Sequence, residues 1–267
     1  MLIKRIDPQN TTQLQNCRTL ASENYLDNLV LLGDLYNPCL KLSRIFGIFD
    51  ETNNIQNFFV IFDGFTMPSI VLPVKMDKQH LTLVKDFLIT ILPEEFFILT
   101  LELVEDDLSS HFKINYCSVD NCMIVKDKQK LLLAVTPVKK STDKDLERID
   151  KFYFDTKANP WNPIQFESGY YHYIEDEGKI VACGGTHFEN PKLAQIGNIY
   201  VLKDYRRRGF GELLTSAIAR EILDKKELAT LFVNQENIPA KNLYQKLGFE
   251  LFKPARLFFC NRKLEEI

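Results

Sequence analysis

No stretch of this chain approaches the roughly 18–20 consecutive apolar residues that span a bilayer. Its opening, MLIKRIDPQN, has no apolar core of secretory type before it turns polar. No membrane span and no leader are expected. Charge of one sign is also lacking, with 33 Lys+Arg against 36 Asp+Glu and a net charge of −3. Residues 1–130 carry 12 basic and 17 acidic side chains, and the remainder carries 21 and 19. With no basic arm or stripe, nucleic acid is not an expected partner. Cysteine is sparse, at six in 267 residues. Cys117 and Cys122 form a C-x4-C, but no second Cys/His pair stands at zinc-ligand spacing, so no metal is expected. Most of the thiols lie in or beside apolar runs, which fits a reducing cytoplasm. Two nucleotide signatures are missing. The P-loop spacing is absent, and G-x-G-x-x-G lacks its third glycine after Gly211. An ordinary ATPase or a nicotinamide enzyme is therefore disfavoured.

The composition is that of a globular protein, 45% apolar and 26% charged. Lysine-rich polar segments, VKDKQK and TPVKKSTDK, bracket LLLAV. They place a domain boundary near residue 128, giving domains over 1–128 and 129–267 with no low-complexity linker between them. The second domain reads as a strand (LLLAVTPVK), a helix over Asp143–Asp155, a break at NPWNP and a hairpin from Gly169 to Glu189 turning at Gly178. It continues with a strand at Leu193–Leu202, a helix from the DYRRRGFGELL stretch, a strand at Leu228–Val233, a helix over Asn237–Gly248 and closing strands broken at Pro254. The first domain has nearly the same order. It starts with a helical stretch from Asn10 to Tyr36, then has strands at IFGIFD, NFFVIFDG and SIVLP. A helix near Lys78–Leu92, a strand at FFILTLEL, a short helix and a hairpin through INYCSVDNCMIV follow. This predicts an α/β fold with a mixed sheet covered by helices, in two related halves.

The stretch RRRGFG, Arg206–Gly211, joins a strand end to a helix start. The first amides of a helix have no internal partner and lie at the positive end of its dipole. Glycines let an anion approach that backbone, and arginines add forked donors. A phosphate or diphosphate site is the physical expectation; a solvated turn is the plainer alternative. RRRGFG has the form [Q/R]-x-x-G-x-[G/A], and NIPAKNLYQKLGF, Asn237–Phe249, has the form N-x-x-A-x-x-x-Y-x-x-x-G-F. In this order the pair resembles the GNAT N-acetyltransferase superfamily over about Leu131–Arg262. The chain looks most like a subgroup with an additional amino-terminal GNAT-like half. In the first half the matching position reads VKMDKQ, without glycine or arginine, so that half resembles a degenerate copy lacking the phosphate cradle.

The resemblance implies an acetyl-CoA-dependent N-acyltransferase. It implies that the main chain of Ile199, Tyr200 and Val201 meets the pantetheine arm. Arg206, Arg207, Arg208, Gly209, Phe210, Gly211 and Glu212 would receive the diphosphate, with Asn237 contacting the cofactor at the neighbouring strand. Asn237 is also a plain helix cap by its position. Tyr244 would protonate the departing thiolate, which a phenol of pKa near 10 can do; it also shares a packing face with Ala240, Leu243 and Leu247. The attacking amine must be neutral, so a base or a held water is needed. Many relatives place a glutamate on the strand where this chain has Gln195 and Asn198; neither is a base, though either could hold a water. His187 in GGTHFEN is the nearest titratable candidate, and a half-buried strand histidine is its plainer reading. Glu189 is a weaker candidate, and YYHY, Tyr170–Tyr173, either lines an acceptor pocket or packs. The acceptor is a small amine or a peptide N-terminus. The first half would cap the acceptor cleft or form a subunit contact in a homodimer. A non-catalytic acyl-CoA-binding module, or a loop for some other phosphate, are the rival readings.

Overall fold

The structure, a computed structural model, describes residues 1–133, 137–157 and 161–263. Its contacts divide the chain into two compact units: Met1–Asp120 together with Pro254–Ile267, and Asn121–Lys253. The expected boundary at 128 lies a few residues inside the second unit. The segment from Pro254 onward groups with the first, which a simple split into halves does not anticipate.

The first unit runs β1 (Leu2–Ile6), α1 (Thr11–Ser22), α2 (Leu29–Asp34), β2 (Ser43–Phe49), β3 (Ile55–Phe62), β4 (Ser69–Val71), α3 (Lys78–Ile91), β5 (Glu95–Thr100), α4 (Glu105–Leu108) and the start of β6 (Phe112–Val125). It regains the chain's end as the later part of β12 (Glu250–Arg262). Its strands lie in the order β1-β2-β3-β4-β5-β12. They pair antiparallel except for β4 and β5, which are parallel. Asn10 and Asp77 cap α1 and α3 by accepting from the backbone N–H three residues on, which supplies a partner the helix itself cannot. The buried face of α3, with Val84 and Leu88, packs into a cluster with Phe59, Ile70, Phe96 and Ile98.

The second unit holds the end of β6, then β7 (Lys139–Lys140), α5 (Leu146–Thr156), β8 (His172–Asp176), β9 (Lys179–Glu189), β10 (Leu193–Val201), α6 (Phe210–Lys225), β11 (Leu228–Asn234), α7 (Ile238–Lys246) and the start of β12. Its strand order is β6-β11-β10-β9-β8-β7, with β10 and β11 parallel and β7 to β10 antiparallel. Ile218, Ala219 and Ile222 of α6 are buried against Ile196 and Leu231 of the sheet, as the apolar spacing predicts. Each unit thus has the mixed sheet and covering helices expected.

Several elements differ from expectation. The helical stretch from Asn10 to Tyr36 is two helices, interrupted between Ser22 and Leu29. Helix α5 proper begins at Leu146, after a single 3-10 turn over Asp143–Asp145. Residues 114–125 form one long strand, β6, instead of a hairpin: the polar Ser118–Asn121 stretch is a half-buried part of an extended chain whose ends are buried. The tail is likewise one strand that continues through Pro254. Its pairing with β5 begins at Arg256, so the missing proline N–H costs no rung of that ladder. Leu131–Leu133 are not a strand, and the rest of LLLAV and the first two residues of NPWNP lie outside the described residues. Among the described residues no helix is long and apolar enough to cross a membrane.

Candidate functional site

The parallel ladder between β10 and β11 ends at Ile196↔Leu231, while β10 runs on to Val201 and β11 to Asn234. The strands therefore continue past their last shared rung. Backbone groups there must find other partners. On its other side β10 stays paired, Tyr200 with Cys183 and Val201 with Ala182. This places Ile199, Tyr200 and Val201 beside the opening. Their side chains pack: Ile199 and Val201 against the Leu214 cluster, and Tyr200 edge-on to Phe152 at 6.0 Å.

Beyond β10 the chain makes a short 3-10 turn, Lys203–Tyr205, and enters α6 through the arginines. Gly209 is the N-cap, at φ 79°, a left-handed conformation that side-chain-bearing residues adopt at a cost. Arg207 is also left-handed, at φ 62°. No side chain caps α6, so its first amides keep their capacity for an outside acceptor. Two of the three guanidinium groups fold back on the loop. Arg206 donates to the Val201 carbonyl at 3.1 Å and lies over the Tyr200 ring; Arg208 donates to the Asp204 carbonyl at 3.2 Å and lies over Tyr205. Phe210 stacks with Tyr205 at 6.4 Å. A Cβ built on Gly211 would stand 3.5 Å from Leu243, and Glu212 pairs with Lys246 at 2.7 Å. These contacts hold the start of α6 against α7 and so bring the two sequence motifs together.

Asn237 caps α7, its Oδ1 accepting from Ala240 N–H at 3.3 Å. Tyr244 packs against Phe249 in the core beneath α7, with ring centroids 5.9 Å apart. Burial pushes its phenol up to about 12, so the proton stays on oxygen at neutral pH.

His187 is held by a second construction. Gln195 faces Phe188 and Ile196 faces Thr186, so His187 is an extra residue bulging from β9. Further along, Gly197 faces Gly185 and Tyr200 faces Cys183, so β10 carries an extra residue at Asn198–Ile199. The bulges lie on opposite strands and cancel, leaving the flanking register unchanged. Between them His187 Nε2 meets Asn198 Oδ1 at 2.9 Å. Asn198 itself is left-handed, at φ 55°, a conformation asparagine tolerates better than most residues. Its Nδ2 donates to Gln165 Oε1 and to the Tyr171 hydroxyl, both at 2.9 Å, and its carbonyl accepts from Tyr153 at 2.8 Å. Two glycines make the room. A Cβ on Gly197 would lie 2.4 Å from the His187 ring, and one on Gly185 would lie 2.5 Å from the Tyr171 ring. Burial lowers the His187 pKa, opposed by its bond to Asn198, so the neutral ring is favoured.

Glu189 pairs with Lys226 at 2.7 Å. The YYHY residues divide: Tyr171 enters the His187 network, whereas Tyr170 lies under Lys225 and His172 faces Glu221 at 3.4 Å. Sequence reasoning passed over Gln165 and Tyr153, whose only signal was an ordinary helical or loop context, and it saw Asn198 as standing where relatives have a carboxylate, able to hold a water, without foreseeing its bond to His187. Among the described residues no group of His, Cys, Asp and Glu could hold a metal.

Residues 142–249 match the model of the Acetyltransferase (GNAT) family. The chain is similar to an uncharacterized N-acetyltransferase of Methanocaldococcus jannaschii, 32% identical over 113 residues, covering 38% of this chain and 50% of that protein. It is similar to an N-alpha-acetyltransferase of Sulfurisphaera tokodaii, 37% identical over 73 residues, covering 26% of this chain and 43% of that one. It thus spans about half the length of these curated relatives. In fold it is similar to a tandem GNAT protein from the clavulanic acid biosynthesis pathway, with a TM-score of 0.67 at 10% identity and 99% of both chains covered.

Proposed function

Because this chain belongs to the GNAT superfamily, we propose that its second unit, Asn121–Lys253, binds acetyl-CoA and transfers the acetyl group to a primary amine by direct attack. The observation that carries this reading is the opening past Ile196↔Leu231 leading straight to an uncapped helix start. The amides from Arg207 to Gly211 receive the diphosphate, with Arg207 free of the fold-back bonds that engage Arg206 and Arg208. The unshared edge of β10 at Ile199–Val201 hydrogen-bonds the pantetheine arm. Asn237 closes the other side while capping α7. His187 removes the proton from the attacking amine, and Tyr244 gives its phenolic proton to the departing thiolate. The neutral ring and the protonated phenol are the forms these roles need at pH 7. A small amine or a peptide N-terminus is the acceptor. The first unit has no counterpart of the arginine loop at VKMDKQ and serves as a degenerate half. The six cysteines are free thiols, which suits a reducing cytoplasm.

Calorimetric titration with acetyl-CoA, with thiol release followed over a panel of amines and peptides, tests the proposal. Binding with release supports it. Binding without release on any acceptor favours a non-catalytic acyl-CoA-binding module, a reading to which the absence of a carboxylate at Gln195 and Asn198 lends weight. No binding leaves the loop to some other phosphate.

A further inference from the structure

The network around His187 fixes which ring nitrogen carries the proton, and it does so from groups whose roles cannot be reversed. The Tyr171 hydroxyl lies 3.2 Å from the Thr186 carbonyl, which can only accept, so Tyr171 spends its one proton there. Tyr171 must then accept from Asn198, 2.9 Å away. At the other end the Asn162 backbone N–H, which can only donate, lies 3.2 Å from Gln165. The Gln165 atom there is its oxygen, and the same oxygen also accepts from Asn198 at 2.9 Å. Both constraints make the Asn198 atom between them the amide nitrogen. Its oxygen is left facing His187 Nε2 at 2.9 Å. An amide oxygen donates nothing, so Nε2 must carry hydrogen, and in the neutral ring the lone pair belongs to Nδ1.

We infer that Asn198 is a positioning residue that holds His187 in the Nε2–H tautomer and so makes Nδ1 the proton-accepting atom. This rests on the acyl-transfer reading for its chemical purpose, though the tautomer itself does not. In the step, an N–H bond of the substrate nitrogen breaks and an Nδ1–H bond forms. The ring becomes imidazolium, and its Nε2–H bond to Asn198 strengthens as positive charge develops. No electron changes hands.

The paired bulges explain why the asparagine is needed. A regular ladder would leave His187 and Asn198 as ordinary strand residues; the extra residue on each strand brings them together. The titratable groups bonded to Asn198 besides His187 are the Tyr153 and Tyr171 phenols, and Glu189, two residues along β9, is engaged by Lys226. Burial also raises the Tyr153 phenol, keeping it neutral. The Gly197 backbone, which lies against the ring, adds no charge.

Nitrogen-15 spectra of ring-labelled histidine give the tautomer directly. The His187 signals, one set among four histidines, are assigned by their loss in His187→Gln. The expected result for the native protein at pH 8 is a protonated-type Nε2 and a lone-pair-type Nδ1. Asn198→Ala should yield a tautomer mixture. Asn198→Asp keeps an acceptor and tolerates the left-handed backbone, so it should retain the Nε2–H form and raise the ring's titration midpoint. With an acceptor amine, Asn198→Ala should lower kcat by about 10-fold or more with KM for acetyl-CoA little changed. Asn198→Asp should move the acid limb of the rate profile to higher pH, which a merely structural role would not do. A native ring protonated at Nδ1, or an unchanged tautomer in Asn198→Ala, overturns the inference. Absence of turnover on every amine would sink the acyl-transfer reading while the spectra still decide the tautomer.

Discussion

Gly211→Asp puts the phosphate assignment at risk with little risk to the fold. Gly211 lies in the first turn of α6, and its φ is outside the left-handed region. A Cβ there meets only Leu243, at an ordinary 3.5 Å. The new carboxylate would sit at the positive end of the helix dipole, which favours it by about 0.3–1 kcal/mol in the unliganded protein. Replacing glycine by aspartate, itself a weak helix former, adds only about 0.3 kcal/mol of propensity. The variant should therefore melt at or above the parental temperature. A diphosphate at the same amides would meet a like charge at roughly 5 Å. At an effective dielectric constant of about 20 that costs about 3 kcal/mol per charge pair, and solvent exposure of the loop brings it toward about 2. The expected loss is about 30–150-fold in the dissociation constant for CoA, read by calorimetry. Gly211→Ala carries the same Cβ without the charge and should bind within several-fold of the parent. The gap between them should narrow from roughly 0.1 M to 1 M salt, as the screening length falls from about 10 to about 3 Å. A folded Gly211→Asp protein with parental CoA affinity would refute the placement of the phosphates at α6.

Tyr244→Phe should lower kcat by about 100-fold while leaving acetyl-CoA affinity nearly unchanged; equal turnover would leave Tyr244 a packing residue. Gly185→Ala drives a Cβ to 2.5 Å from the Tyr171 ring and should cost about 1–3 kcal/mol in urea unfolding, with no loss meaning the ring has room to move. Asp34 is buried, one carboxylate oxygen has no hydrogen-bond partner, and burial pushes its pKa up to about 8. The folded state then keeps a proton that the unfolded chain releases near pH 4, so Asp34 destabilises increasingly as pH rises from about 4 to about 8. Asp34→Asn should accordingly raise the melting temperature at pH 8 more than at pH 5, and an equal change at both would show that the carboxyl is not protonated in the fold.

Elements with a strong local cause were legible in advance. Helices α3, α6 and α7 each carry their own spacing and start signal, and the turn at Gly178 names itself by its left-handed glycine, φ 78°. The hairpin expected at 114–125 failed because polar residues inside a long strand look like a turn until the burial of the strand's ends is known. The tail was misread because Pro254 lies outside the ladder with β5, which begins at Arg256, and so does not interrupt it.

The same division runs through the site. The sequence alone determined the arginine-glycine entry into α6 and the Asn237–Tyr244 helix, because a left-handed cap, an uncapped helix start and an asparagine cap are set by neighbours a few residues apart. Only the tertiary structure decided the surroundings of His187, whose partner Asn198 is 11 residues away, while Asn198's own partners Tyr171, Gln165 and Tyr153 are 27, 33 and 45 residues away. Those contacts depend on two bulges whose register shifts cancel. No local propensity records such an arrangement, because it exists only once β9 and β10 have paired.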